Sequence, residues 1–170
     1  MAETETSHRI VVPPAVSMAG LLGTGDEYLR AVERAFPTVD ILARGNEITL
    51  NGPAPEMALL ERLFDELVVV LRTGAPLSVD SVERSIQMLR QDTVERPADV
   101  LTADIVSNRG RAIRPKTLNQ KRYVDAVRDN VITFGLGPAG TGKSWLAVAM
   151  AVQALQSKEV DRIILTRPAV

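Results

Sequence analysis

The chain has 170 residues, of which 45% are hydrophobic and 24% charged, a composition typical of a globular protein with one ordinary domain or two small ones. The absence of cysteine excludes disulfide frameworks and thiolate metal sites, and the single histidine, His8, is expected to be a solvated residue rather than a metal ligand. The net charge is −1, no apolar run approaches the roughly 18 residues of a membrane span, and the acidic N-terminus is unlike a signal peptide, so the sequence predicts a cytoplasmic protein without a membrane partner.

The N-terminal half of the sequence predicts a flexible tail followed by a small α+β module. Residues 1–19 are polar or contain proline and are expected to be mobile, with room for a short strand over Arg9–Val12. The module covers residues 20–90, and its predicted elements are a helix capped by Asp26 and ended by Pro37, two strands joined at Gly45-Asn46, a helix over Met57–Leu71 closed by Gly74, and a helix over Ser78–Arg90. Residues 91–112 are predicted to be a linker because they are polar and include Pro97 and Gly110.

The remaining segment, residues 113–170, predicts one βαβ unit. Its elements are a helix over Thr117–Arg128 capped by Thr117, a buried strand over Val131–Phe134, a glycine-rich loop, a helix over Lys143–Gln156 and a strand over Arg162–Thr166. Two strands joined through a helix in this way are expected to be parallel, with a right-handed crossover.

The glycine-rich loop has the pattern of a phosphate-binding loop. Its residues are Gly137, Pro138, Ala139, Gly140, Thr141, Gly142, Lys143 and Ser144. The glycines allow the backbone to wrap with its N–H groups pointing inward, and the start of the following helix adds a positive dipole for a phosphate group. Lys143 is the candidate catalytic residue at the β- and γ-phosphates, and the Ser144 hydroxyl is the candidate metal ligand for Mg²⁺. The loop therefore predicts binding of ATP or another nucleoside triphosphate with Mg²⁺.

The residues after this loop do not supply everything that hydrolysis requires. A phosphate-loop ATPase needs an acid on a later strand to hold Mg²⁺ and a group that orients the attacking water. Glu159 and Asp161 are the only acids after Ser144, and both are expected at the opposite end of the sheet. We therefore expect the chain to be a truncated part of an ATPase domain that lacks the acidic motif and is inactive by itself.

The net charge conceals a division along the sequence. Residues 1–104 contain 9 basic and 17 acidic residues, a net of −8, whereas residues 105–170 contain 11 basic and 4 acidic residues, a net of +7. The basic residues of the segment Ile105–Val124, which contains no acid, are Arg109, Arg111, Arg114, Lys116, Lys121 and Arg122. They form either a solvated linker and helix face or a patch that contacts nucleic acid or the phosphates of the nucleotide.

Three stretches resemble the PhoH family of predicted cytoplasmic ATPases: Arg114–Tyr123, Gly135–Ser144 and Ile163–Val170. The match is close over residues 113–170 and looser over residues 20–75. The resemblance implies an ATPase core similar to that of superfamily 1 helicases, ATP binding and an RNA-related role, and it is compatible with a homo-oligomer in the full-length protein.

The same resemblance gives candidate roles to two further residues. Gln120 stands where helicase cores of this type place an adenine-reading glutamine, and its amide could match the exocyclic amine and N7 of adenine. The alternative is an exposed helix glutamine. Arg167 either contacts a nucleic-acid phosphate or is a strand-end arginine in solvent.

The N-terminal module resembles the second half of a KH domain, with a glycine turn, a helix, two strands and a helix. In that comparison Gly23-Thr24-Gly25-Asp26 occupies the G-x-x-G loop that clamps a nucleic-acid backbone. Asp26 replaces the final glycine, and its carboxylate would repel phosphate. This module is therefore expected to contact RNA or to serve in protein interaction or packing.

Together these patterns predict an α/β fold, with a small KH-like α+β module followed by the first βαβ unit of a phosphate-loop NTPase. The expected function of the complete protein is an ATPase linked to RNA metabolism, with single-stranded RNA as a further partner. The alternatives are a small-molecule phosphotransferase built on the same loop and a non-catalytic module that binds RNA or protein.

Overall fold

A computed structural model describes residues 6–91, 95–108 and 111–167. The chain divides into two compact units, Met1–Thr102 and Ala103–Val170. In the described residues, helices are combined with two small antiparallel sheets, which confirms the α/β class in its broad sense. None of the described helices has the length and apolarity needed to cross a membrane.

The first unit contains a three-stranded sheet, five α-helices and a short 3-10 helix (Thr24–Asp26) among its described residues. Its elements are β1 (Thr6–Val11), α1 (Met18–Leu22), α2 (Glu27–Ala35), β2 (Asp40–Arg44), β3 (Glu47–Gly52), α3 (Ala54–Arg72), α4 (Val79–Arg90) and α5 (Pro97–Leu101). The strand order is β1-β3-β2, and both pairings are antiparallel. The tight turn between β2 and β3 falls at Gly45, whose φ of 64° suits a residue without a side chain.

The core of the first unit lies between this sheet and the helices. Ile48 and Leu50 of β3 are fully buried, as the period of two along a strand requires for one face of a sheet. They belong to the same apolar cluster as Leu60 and Phe64 of α3. Helix α4 is capped by Ser78, which exchanges side-chain and backbone hydrogen bonds with Ser81 as a capping box.

Two segments that the sequence assigned to a tail and a linker are part of this core. Residues 6–11 form β1, which pairs with the central strand β3, and Val12 is 1% exposed; residues 1–5 lie outside the described residues. In the predicted linker, α5 buries Ala98 and Val100. The short strand expected over Arg9–Val12 is confirmed in part, because β1 begins earlier, at Thr6. The linker prediction was wrong for α5, because a polar segment can be ordered by partners that are distant in sequence.

Helix α5 shows how such a distant partner acts. Glu66 of α3 is almost fully buried, and one of its carboxylate oxygens accepts a hydrogen bond of 2.9 Å from the backbone N–H of Ala98. The other oxygen forms an ion pair of 2.8 Å with Arg96. A five-residue helix has little intrinsic stability, so the capping of its first turn by this carboxylate stabilises it together with the burial of Ala98 and Val100.

The second unit has a smaller core among its described residues. Its elements are β4 (Val106–Asn108), β5 (Arg111–Ile113), α6 (Leu118–Asp129) and α7 (Lys143–Gln156), with β4 and β5 antiparallel. Thr117 caps α6 by accepting a hydrogen bond from the N–H of Gln120, as the sequence predicted. The buried residues of this core are Ile105, Val106, Val124, Leu146, Ala149 and Met150.

The predicted parallel strands are absent from the described residues of the second unit. Residues 131–134 are not in a strand, and Val131, Ile132 and Phe134 are exposed. The same holds for residues 162–166, where Ile164 and Leu165 are exposed. A parallel strand requires hydrogen-bonding neighbours and cover on both faces of its sheet, and within the described residues neither segment has them.

Candidate functional site

The loop between residues 136 and 143 wraps around the start of α7 in a glycine-dependent conformation. Gly137, Gly140 and Gly142 have φ values of 152°, 77° and 87°, a range that side chains disfavour. Gly142 is also the N-cap residue of α7, and its carbonyl accepts the first helical hydrogen bond, at 2.9 Å from the N–H of Leu146. The spacing of the glycines in the sequence therefore corresponds to three backbone positions that require them.

The wrapped loop leaves backbone N–H groups free for a ligand. In the part of the chain that the structure describes, no protein atom accepts a hydrogen bond from the N–H groups of residues 139–142. The first turn of α7 contains no acidic residue that would neutralise its positive end. Free N–H groups beside a helix N-terminus form a favourable environment for an anion such as phosphate.

Lys143 brings its ammonium group back over the loop. Its Nζ donates hydrogen bonds to the carbonyl oxygens of Gly137 at 2.8 Å and Pro138 at 2.5 Å, and it lies 3.3 Å from the hydroxyl of Thr141. Thr141 in turn donates from that hydroxyl to the Pro138 carbonyl at 3.0 Å. A cation is thereby held across the opening of the loop, where it can compensate phosphate charge.

Ser144 lies beside Lys143 in the first turn of α7, and its side chain is exposed. Its hydroxyl is suited to a metal ion that a triphosphate brings with it. No cluster of three or more His, Asp or Glu residues capable of holding a metal ion occurs among the described residues. Glu159, one of the two late acids, accepts a hydrogen bond from Ser157 at the far end of α7.

Helix α6 contacts the loop through two residues on one face. The side-chain amide of Gln120 donates to the Thr141 carbonyl at 3.0 Å. One turn further on, the ring of Tyr123 lies close to Gly135, where an added Cβ would approach it to 3.2 Å. The sequence did not single out Tyr123, although its i+3 spacing from Gln120 on a helix is the signal that places both side chains on one face.

Two of the six basic residues between Arg109 and Arg122 have acidic partners among the described residues. Arg114 pairs with Asp104, and Lys121 pairs with Asp125 through both carboxylate oxygens at 2.6 and 2.7 Å. Both acids lie just outside the segment Ile105–Val124, and Asp125 lies one turn of helix from Lys121. For Arg114 and Lys121 the pairing favours the solvated linker and helix face, which was one of the two alternatives from the sequence. Arg109 and the side chain of Arg111 lie outside the described residues, and Arg122 has an interaction partner.

The glycine turn of the N-terminal unit lies between α1 and α2. Gly23, Gly25 and Asp26 all have positive φ, at 84°, 59° and 62°. Asp26 does not cap α2 with its side chain, contrary to the sequence prediction, because its left-handed backbone is not the extended conformation that capping requires.

Arg167 is exposed, and Pro168–Val170 lie outside the described residues.

Residues 112–170 match the protein family described as PhoH-like protein. Over 169 residues, which are 99% of this chain, the sequence is 53% identical to a PhoH-like protein of Mycobacterium tuberculosis. The chain belongs to the PhoH-like family. It is also 37% identical over 151 residues to the PhoH-like protein of Bacillus subtilis, and 47% identical over 49 residues to protein PhoH of Escherichia coli.

The chain spans about half the length of the PhoH-like relatives that it matches over most of its own length. It covers 47% of the M. tuberculosis protein and 47% of the B. subtilis protein, whereas 99% and 88% of this chain are aligned. The match to the E. coli protein is confined to 29% of this chain and 14% of that protein. No solved structure matches the chain.

Proposed function

We propose that residues 137–144 bind the phosphates of a nucleoside triphosphate, with ATP and Mg²⁺ as the expected ligands. The observation that carries the proposal is the wrapped loop, with free N–H groups on residues 139–142 and the Lys143 ammonium held over it. A triphosphate with several negative charges suits a pocket of N–H dipoles and one cation better than a neutral ligand does.

Within this proposal each group has a separate task. The loop N–H groups hold the β-phosphate, and the Lys143 ammonium compensates charge on the β- and γ-phosphates. The Ser144 hydroxyl is one ligand of a Mg²⁺ ion, whose remaining ligands come from phosphate oxygens and water. Mg²⁺ supplies further charge neutralisation when it is bound.

For the complete protein we propose an ATPase that acts in RNA metabolism. Membership of the PhoH-like family supports the ATPase, and the module before the loop supports the RNA connection. That module contains a glycine turn, a helix, two strands and a helix in the order expected of a KH-like unit. Because this module has a net negative charge, it should not bind RNA tightly by itself. We therefore propose that single-stranded RNA is bound by the complete protein.

The apolar segments 131–134 and 162–166 fit the same proposal. Both are rich in β-branched residues, and residues 131–134 also include the aromatic Phe134, a composition typical of strands. Each flanks the loop-helix segment that carries the site. We propose that they pair as parallel strands of a phosphate-loop NTPase sheet in the longer proteins of this family. Pairing of this kind would bury side chains such as Phe134 and Leu165, which are now exposed.

The test of nucleotide binding is a calorimetric titration of this chain with Mg-ATP, run in parallel on a Lys143→Ala variant. The matched control is Lys158→Ala, which removes the same charge from the opposite end of α7, where Lys158 follows the helix. We expect binding by the wild type and the control, and a loss of at least tenfold in affinity for Lys143→Ala.

Two results would contradict the proposal directly, and a third would attribute the loss of affinity to charge rather than to this site. One is equal affinity of the wild type and Lys143→Ala, because binding would then not depend on the loop. The other is the absence of Mg-ATP binding in all three proteins when their circular dichroism spectra show them to be folded. Equal losses in both lysine variants would indicate a general charge effect instead of a site.

A further inference from the structure

Gln120 joins the beginning of α6 to the phosphate loop through both ends of its side-chain amide. The amide oxygen accepts a hydrogen bond from the backbone N–H of Lys116 at 2.7 Å. The amide nitrogen donates to the carbonyl of Thr141 at 3.0 Å. The N–H of Lys116 can only donate and the Thr141 carbonyl can only accept, so the two partners determine which way the amide is oriented.

The helix itself does not depend on this side chain. Helix α6 is capped by the Thr117 hydroxyl, which accepts from the backbone N–H of Gln120 at 3.2 Å. Lys116 is exposed, so its N–H could bond to water if the Gln120 side chain were removed. The contact that is specific to Gln120 is therefore the one to the loop.

This contact falls at the point where the loop turns into α7. Gly142 has a φ of 87°, and a Cβ added there would lie 3.1 Å from the Gln120 amide nitrogen. The carbonyls of Gly137 and Pro138 are bound by Lys143, whereas the Thr141 carbonyl is bound by Gln120. When the loop carbonyls are held on these partners, the N–H groups of residues 139–142 stay free for phosphate.

We propose that Gln120 is a positioning residue of the phosphate loop: its hydrogen bond to the Thr141 carbonyl holds the last turn of the loop in the conformation that receives phosphate. The inference rests on the proposed function of residues 137–144. It differs from adenine reading because both recorded partners of the amide are backbone groups of the protein. The amide keeps one further N–H donor and one further oxygen lone pair, so the two roles have to be separated by experiment.

The two roles are separated by a ligand without a base. Inorganic tripolyphosphate with Mg²⁺ has the charge of the nucleotide's phosphate chain but no adenine. If Gln120 positions the loop, Gln120→Ala weakens tripolyphosphate, ATP and GTP by the same factor, which we expect to be about fivefold to tenfold for one hydrogen bond at a charged site. If Gln120 reads adenine, the loss is confined to ATP.

Gln120→Glu separates the two hydrogen bonds of the amide. The carboxylate can still accept from the Lys116 N–H, but it has no donor for the Thr141 carbonyl. We expect Gln120→Glu to lose at least as much tripolyphosphate affinity as Gln120→Ala. The matched control is Asn119→Ala, an exposed carboxamide at the neighbouring position of α6, which should leave all three affinities unchanged.

Binding can be followed by calorimetry and by the fluorescence of Trp145. This residue is the only tryptophan of the chain, it is 64% exposed, and it follows Lys143 and Ser144 in the first turn of α7. Tripolyphosphate affinity that is unchanged in Gln120→Ala would overturn the positioning role, whether or not ATP affinity falls. A change in Lys143→Ala but not in Gln120→Ala would leave the nucleotide proposal intact and reject this one.

A measurement without ligand covers the case in which the chain binds no phosphate compound at all. Amide hydrogen exchange across residues 136–146 should be faster in Gln120→Ala than in the wild type or Asn119→Ala, with α2 and α3 of the other unit unchanged. Equal exchange in the loop of all three proteins would overturn the inference. Faster exchange in Gln120→Ala, together with absent binding in the wild type, would reject the proposed function. It would still show that the hydrogen bond from Gln120 to the Thr141 carbonyl restrains the loop.

Discussion

Phe64 and Phe134 are two of the three phenylalanines of the chain, and their surroundings are opposite: Phe64 is 1% exposed, whereas Phe134 is 84% exposed. Phe64 belongs to a unit whose helices and three-stranded sheet close around one apolar core. Phe134 belongs to a unit in which α6 and α7 share a small core while the segments on either side of the loop-helix stretch remain exposed.

The contrast follows from what each element needs in order to bury its side chains. A helix satisfies its own backbone and only has to turn one face inward, which is why α7 buries Leu146 and Met150 while Val148 stays exposed. A strand needs a partner for its backbone before its side chains can pack. Apolar composition alone therefore does not decide whether a segment is buried.

The largest expected effect tests this contrast with one substitution made in both units. Phe64→Ala should lower the free energy of unfolding by about 3–5 kcal/mol, because it leaves a cavity in a closed core. Phe134→Ala should change it by less than about 0.5 kcal/mol, since the side chain contributes little buried area. Urea denaturation followed by circular dichroism measures both values.

The comparison of Phe64→Ala with Phe134→Ala also tests whether residues 131–134 are packed as a strand in this chain. A cost for Phe134→Ala that approaches the cost for Phe64→Ala would mean that residues 131–134 are packed in solution, against the exposure described above. Hydrogen exchange of residues 131–134 provides the check, because unpaired backbone amides in this segment should exchange as fast as those of a loop.

A smaller effect is expected at Glu66, which ties a distant segment to the first unit. Glu66→Ala leaves the buried N–H of Ala98 without an acceptor, and we expect a loss of about 2 kcal/mol in the free energy of unfolding. Glu66→Gln should lose less, because its amide oxygen can still accept from that N–H. The measurement is again urea denaturation.

The matched control for Glu66 lies in the second unit. Glu159→Ala removes an exposed carboxylate that accepts a hydrogen bond from Ser157, and the expected change is below about 0.5 kcal/mol. Similar costs at Glu66 and Glu159 would contradict the assignment of α5 to the core of the first unit.

The smallest expected effect is a pH dependence at Asp65. Partial removal of its carboxyl from water, together with the neighbouring carboxylates Glu61 and Glu66, raises the pKa of Asp65 above its ordinary value of 3.8, against the opposing effect of Arg96. The folded state then holds the proton more tightly than the unfolded state, so stability falls as the pH rises through the raised pKa. Asp65→Asn should therefore be more stable than the wild type at neutral pH.

The gain at Asp65 should be only a few tenths of a kcal/mol, because the side chain is exposed and solvent screens its charge. It should disappear below about pH 3.8, where the wild-type carboxyl is protonated in both states. The measurement is the difference in urea midpoint between the two proteins at pH 7 and pH 3. A stabilisation that is the same at both values would show that it does not come from ionisation.

The prediction from sequence was accurate where the determining contacts are local. The helices α3, α4, α6 and α7 and the turn at Gly45 follow from apolar spacing, capping residues and glycine, all within a few residues of one another. It placed only the end of β1 and missed α5, because their partners are β3 and Glu66, which lie about 30 or more residues away. It left the charge compensation of Arg114 open, because its partner Asp104 lies on the other side of the β4–β5 hairpin.

By itself the sequence determined the glycine-rich loop over residues 137–144, since its glycines fall at the backbone positions with positive φ. The phosphate-binding role of this loop stays a prediction. The family could likewise be inferred from short stretches around that loop. Only the tertiary structure decided what Gln120 contacts and which apolar segments are buried. Both depend on the position of one element against another, and no local pattern encodes the distance between a helix side chain and a loop carbonyl.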